Sequence, residues 1–207
     1  MNIVFSHMQR MLPFMIAAIP LTIIIRLISY PINKKRGIRT TVLHETALLL
    51  FIVFLAGLIS QTILPRIEIE WPDIVIINTK VESSFNFVPG KIISVSLDYL
   101  SKGKMNYFIL NFLGNICFFI PIGLMIPLIW RCSFRKTVLI GFLCSLSIEL
   151  IQIPLPRCTD IDDLWMNTLG ALIGALIYLL VNRLLPEFTG KCKVILPKQA
   201  EPDRIYA

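Results

Sequence analysis

Apolar residues in this chain fall into five long runs, separated by short polar links and one longer segment. The runs cover about Met11–Ile32, Val42–Leu64, Asn106–Trp130, Val138–Pro154 and Leu164–Leu185. Crossing ~30 Å of hydrocarbon takes about 20 helical residues, and every run is near that length, the fourth being the shortest. Backbone groups in lipid must find their hydrogen bonds within the segment, so runs this long predict helices. Pro13, Pro20, Pro121 and Pro127 fall inside runs and predict bends. The pattern predicts an all-α integral membrane protein with five transmembrane helices.

The segment from Pro65 to Met105 is the sizeable part outside the runs. Ile67-Glu68-Ile69-Glu70-Trp71 alternates, which predicts a short strand or an interfacial stretch. Ile93, Leu97 and Leu100 recur at helical spacing and predict an amphipathic helix over about 92–100. Trp71, Tyr99 and Tyr107 are candidate interface anchors.

Some positions break the apolar pattern. Asn111 and Asn115 share one helix face, being four residues apart. Glu149 and Gln152 share another, with Ser145 a turn below, and Asp163 and Asn167 share a third that continues as Gly170-x-x-x-Gly174. Arg157 and Asp160 stand in the link before the fifth run. A carboxylate in hydrocarbon costs several kcal/mol, so Glu149 reads as a partnered, functional group, either protonated or paired with Arg157. The asparagines have a plainer reading as interhelical glue, worth about 1 kcal/mol or less each. Asp160, Asp162 and Asp163 also suit the positive N-terminus of the fifth helix. Asp162 lies off the Asp163–Asn167 face and reads as a cap as readily as a site residue.

Composition agrees with the pattern. The 207 residues are 56% hydrophobic and 16% charged, too apolar for an ordinary soluble domain. The net charge of +7 is no sign of nucleic acid, because the basic residues flank the runs. Lys34, Lys35, Arg36 and Arg39 follow the first run, Arg131, Arg135 and Lys136 the third, and Arg183, Lys191, Lys193, Lys198 and Arg204 the fifth. With five spans, these three groups share one side, predicting an outer N-terminus and a cytoplasmic C-terminus. Asn111, Asn115, Glu149, Gln152, Asp163 and Asn167 then lie in the outer half of the membrane, and Arg157 and Asp160 at its outer rim. They predict a small outward-facing polar pocket.

Other candidates are plainer. Arg26, near the cytoplasmic end of the first run, is expected to snorkel to the interface. His44 and Glu45 open the second run on that side and read as interfacial. With no histidine near the polar residues, a Ser-His-Asp triad is not on offer. The five cysteines are scattered without CxxC spacing, so no zinc site or other metal site is expected. No cofactor is expected either.

In order and spacing, Asn86-x-x-Pro89, Asn111-x-x-x-Asn115 with Pro121-x-Gly123, Ser147-Ile148-Glu149-x-x-Gln152, and Arg157-x-x-Asp160-x-x-Asp163-x-x-x-Asn167-x-x-Gly170-x-x-x-Gly174 resemble the VanZ-like family. One departure is Gly90, where that family usually has Phe after Asn-x-x-Pro. The likeness covers about residues 86–180. It divides the chain into two N-terminal helices with the start of the outer segment (1–85), a three-helix membrane domain (86–180) and a cytoplasmic tail (186–207). It implies a multi-pass protein of the bacterial cytoplasmic membrane, linked to resistance to teicoplanin-type glycopeptides. The family's polar residues correspond to Asn86, Asn115, Glu149, Gln152, Arg157, Asp160, Asp163 and Asn167.

Three functions follow as expectations. The first is a non-catalytic envelope protein whose pocket binds a lipid head group, a lipid-linked cell-wall precursor or a lipidated antibiotic. There Arg157 would hold a phosphate or carboxylate, and the asparagines and Gln152 would hydrogen-bond the head. The second is an intramembrane enzyme with Glu149 as base and Asp160 and Asp163 as acid or as ligands of a divalent cation. The third, a small proton-coupled transporter using Glu149, sits poorly with five spans and no inverted repeat. The GxxxG face would also serve a homodimer.

Overall fold

The structure is a computed structural model that describes residues 3–64, 66–70, 73–77, 84–155 and 158–195. Each apolar run is a helix. Helix α1 spans Ile3–Lys35 and α2 spans Val42–Thr62. Strands β1 (Arg66–Glu70) and β2 (Asp73–Ile77) pair antiparallel with Glu70 opposite Asp73, so the alternating stretch is a strand. Strand β3 (Ser84–Asn86) precedes α3 (Lys91–Ser101), the amphipathic helix the spacing predicts. A short α4 (Met105–Phe108) leads through one π-helical turn (Ile109–Leu113) into α5 (Gly114–Ile129). Then come α6 (Phe134–Gln152), β4 (Cys158–Asp160), α7 (Ile161–Leu184) and α8 (Pro186–Cys192). Trp71 lies outside the described residues.

Among the described residues, four helical stretches are long and apolar enough to cross a membrane: Met8–Lys35, Val42–Thr62, Asn111–Ile129 and Ile161–Leu184. The fourth run is the exception. As α6 it has 19 residues, but three of them are charged, Arg135 and Lys136 in its first turn and Glu149 near its end.

The core is the α5–α7 pair, and small residues make it. A Cβ on Gly170 would meet the Ile116 carbonyl oxygen at 2.1 Å, and one on Gly174 the Ile120 carbonyl oxygen at 2.1 Å. On α5, a Cβ at Gly123 would lie 1.9 Å from the Ala171 carbonyl oxygen. Gly141 of α6 approaches the same residue, with its Cβ position 2.3 Å from the Ala171 methyl. Three helices thus meet around Ala171, which is fully buried. The GxxxG face is filled within the chain, so a homodimer would need another surface. Phe51 and Leu58 of α2 pack on the same core through Phe119, Ile122 and Ile126.

Helix α1 rests on α2. Arg26 does not simply snorkel: its guanidinium grips the Glu45 carboxylate with two bonds, Nη2–Oε1 at 2.6 Å and Nε–Oε2 at 2.7 Å. A fork-to-fork pair of this kind fixes both register and angle between two otherwise smooth helices. In a double-mutant cycle, Arg26→Ala and Glu45→Ala are each expected to destabilise the protein by about 1.5–3 kcal/mol. The double variant should cost much less than their sum, read as detergent-solubilised melting. Additive losses would show that the pair is decorative.

Residues 186–195, which follow α7, are not a free tail. The Ile195 and Arg39 backbones bridge in both directions at 2.9 Å, and the Val194 N–H donates to the Ile129 carbonyl at 3.3 Å. Thr41 donates to the Lys191 carbonyl. His44, expected at the interface, is buried with its Nδ1 2.9 Å from the Cys192 carbonyl oxygen. Burial pushes the Cys192 thiol above its ordinary range, which suits an unreactive packing role. Through these contacts the loop after α1, the end of α5 and the end of α7 gather at one end of the bundle. That end carries Lys34, Lys35, Arg36, Arg39, Arg131, Lys191 and Lys193.

Candidate functional site

The opposite end of the bundle holds the polar residues. Strands β3 and β4 pair in parallel, with Asn86 directly opposite Asp160. This short ladder joins the loop before α3 to the loop before α7. Across it, Asn86 Nδ2 donates to both Asp160 carboxylate oxygens at 2.9 Å. Asn86 Oδ1 accepts from the Val88 N–H at 3.3 Å, which turns the chain toward Pro89 and Gly90. Asp160 is also the N-cap of α7, accepting the Asp162 N–H at 3.0 Å.

Glu149 reaches this ladder from α6. Its Oε2 accepts the backbone N–H of Asp160 at 3.2 Å. One turn earlier on α6, Ser145 accepts from Asn167 Nδ2 of α7 at 3.0 Å. From α5, Asn115 donates its amide to Asp163 and to the Asn111 carbonyl, the latter at 3.2 Å within the π turn. Glu149 and Asp160 meet through the Asp160 backbone N–H, and Asp163 stands in the first turn of α7, just after Asp160. Asp160 and Asp163 are each met by an asparagine amide and Glu149 by a backbone N–H, donors that carry no charge. Among the described residues, no three His, Cys, Asp or Glu side chains are grouped to hold a metal ion.

The expected residues therefore divide. Asn86, Asp160 and Glu149 form one hydrogen-bonded group, Asn115 and Asp163 a second and Asn167 with Ser145 a third, all toward one end of the bundle and drawn from β3, α5, α6, β4 and α7. Gln152 does a different job, donating from α6 to the Thr62 carbonyl at the end of α2 at 2.8 Å. Asn111 supplies a carbonyl to the cluster. Arg157 lies outside the described residues.

Asp162 corrects the sequence reading. It does not cap its own helix; Asp160 does. Its side chain is fully buried and serves α3 instead, accepting the Gly90 N–H at 2.7 Å and the Ile92 N–H at 2.8 Å. The Trp165 indole donates to it as well, at 2.9 Å. A buried carboxylate with three donors at a helix N-terminus is an anchor. The Gly90 departure belongs to the same feature, since Gly90 has φ +80 as the N-cap of α3. Few residues other than glycine adopt that conformation readily. The spacing of Asp162 off the polar face hinted at a separate role, but no sequence pattern joins it to a loop 70 residues earlier.

A family model described as VanZ/LLP1 matches residues 51–182, more than half of the chain. The match takes in the whole polar cluster and leaves out α1 and α8. No curated protein and no solved structure matches.

Proposed function

The chain belongs to the VanZ/LLP1 family, and from this membership and the polar cluster we propose an envelope protein that binds the polar head of a lipid-linked molecule. In this reading it resides in the bacterial cytoplasmic membrane and lowers susceptibility to teicoplanin-type glycopeptides. The observation that carries the reading is the convergence of Asn86, Asn115, Glu149, Asp160, Asp163 and Asn167 at one end of an apolar bundle. Helix glue alone needs no carboxylate, and three of them together are costly in lipid.

Helix α6 is the fifth span. In support, it packs beside α7, and its charges sit at its two ends, Arg135 and Lys136 at the basic end and Glu149 in the cluster. The positive-inside rule then puts the basic end in the cytoplasm and the cluster at the outer leaflet. The ligand is a lipid head group, a lipid-linked cell-wall precursor or the lipidated antibiotic itself. Its hydroxyls or amines meet the carboxylates, and Arg157, three residues before Asp160, takes its phosphate or carboxylate. The contact of Glu149 with Asp160 favours one alternative, an enzyme in which these residues exchange protons with a lipid-linked substrate.

Teicoplanin susceptibility, the lipidome and the muropeptide profile of cells expressing wild type, Glu149→Gln, Glu149→Ala or Asp160→Ala test the two together. Binding predicts that wild type and Glu149→Gln protect equally, Asp160→Ala does not, and lipid and muropeptide profiles stay constant. A new lipid or precursor species in wild type that vanishes in Glu149→Gln would replace the binding reading with the enzymatic one.

A further inference from the structure

Helix α3 is tied at both ends to helices that cross the membrane. At its start, the Gly90 and Ile92 N–H groups are held by Asp162, in the first turn of α7. At its end, the link Lys102–Lys104 spans at most about 10 Å before Met105 opens the helix that runs into α5. The first turns of α5 and α7 lie side by side through Asn115 and Asp163. With about 16 Å of length and both ends held at the level where two spans begin, α3 lies across the bundle end, along the membrane plane.

At ~100° per residue its surface divides into three sectors. Ile92, Val95, Ser96 and Tyr99 form the packed sector, with Ser96 fully buried. Lys91, Ser94, Asp98 and Ser101 form an exposed polar sector, continued by Lys102 in an ion pair with Asp98. Between them on the third side stand Ile93 and Leu97, 37% and 53% exposed. Phe87 and Val88 before the helix and Met105 after it add further apolar surface at its two ends, all more than half exposed. A helix in water would not gain from such a strip beside its packed face, whereas one at a bilayer surface would.

We infer that α3 and the Phe87–Val88 turn form an interfacial lipid contact, with Val88, Ile93 and Leu97 inserted at the head-group–acyl boundary and the lysine-bearing sector in water. The occupant of the strip is the bilayer in which the spans sit, since Asp162 holds the start of α3 to α7 and Met105 leads from its end into α5. The inference stands on the membrane-crossing helices and not on the ligand reading, so susceptibility results do not bear on it.

The test is tryptophan placement in the full chain. Val88→Trp, Ile93→Trp and Leu97→Trp probe the apolar strip, and Ser94→Trp and Asp98→Trp probe the polar sector. Each is reconstituted in phosphatidylcholine–phosphatidylglycerol vesicles, and emission is read as the difference from the unsubstituted protein. The three strip positions should be blue-shifted and quenched by lipids brominated on the acyl chain. The two polar-sector positions should be quenched by acrylamide and not by bromolipid. Acrylamide quenching at positions 88, 93 and 97 would overturn the inference by placing the strip in water. Shielding of those positions from both quenchers would overturn it by placing protein there, a second copy of this chain included. Val88 and Leu97 are exposed enough that at least these two variants keep the fold measurable.

Discussion

Valine at Gly123 or at Gly170 is expected to remove most folded protein from the membrane fraction. Ordinarily a glycine inside a helix is a weakness, and replacing it with alanine gains about 1 kcal/mol of helix propensity. Here the sign reverses. The Cβ of even an alanine would sit 1.9 Å from the Ala171 carbonyl oxygen at Gly123, or 2.1 Å from the Ile116 carbonyl oxygen at Gly170. Both obstacles are backbone atoms of a packed helix, which no rotamer change can move. Overpacking a tight core costs about 1–3 kcal/mol even where side chains give way, so alanine should lower the melting midpoint and valine should prevent assembly. Gly190→Ala is the control, because nothing lies within 4 Å of the position its Cβ would take. Normal yield and melting of Gly170→Val would mean that α5 and α7 do not touch as described.

The second large effect is expected at Asp162, a position easily mistaken for part of the polar cluster. Asp162→Ala strands the Gly90 and Ile92 N–H groups and the Trp165 indole at once. Hydrogen bonds to a charged acceptor contribute about 1.5–3 kcal/mol each, and losses within one network do not add, so about 3 kcal/mol overall is the expected scale. The loss should be local. Amide exchange over 90–101 should accelerate, trypsin should cut at Lys91 and Lys102, and Trp165 emission should shift, while the α5–α7 pair keeps its protection. Asp162→Asn leaves one acceptor oxygen and should fall between. Unchanged exchange in α3 would show that the helix is held by something other than this carboxylate.

The apolar pattern made the helices legible because lipid leaves the backbone no alternative, and even the boundaries of α2 follow the run almost to the residue. The amphipathic α3 and strand β1 were legible from their periodicity. Three-residue and four-residue spacings brought out the polar faces of α5, α6 and α7, and the asparagine–carboxylate pairing of Asn115 with Asp163 rewards that reading. What the sequence could not carry was pairing across long separations. Arg26 and Glu45 each look like an interfacial charge until two helices are laid side by side. Gln152 sits on the Glu149 face by counting, yet its amide is taken by the Thr62 carbonyl, a backbone atom with no signature in sequence. Residues 186–195 read as a tail because they are short and basic, whereas backbone bonds to Arg39 and Ile129 hold them in place.

The β3–β4 ladder is only three residues long on each side, and its strands are 74 residues apart in the chain. Between them come α3, α4, α5 and α6, so the Asn86–Asp160 contact cannot form until those helices and the start of α7 have been made. Closing so long a loop for so few bonds is unfavourable unless the α5–α7 packing has already brought the ends together. The ladder is therefore expected to close after the α5–α7 packing and not before it. Until that packing forms, nothing holds Asn86 beside Asp160. A cross-link that reports proximity of Asn86 to Asp160 would therefore mark chains in which α5 and α7 have already packed.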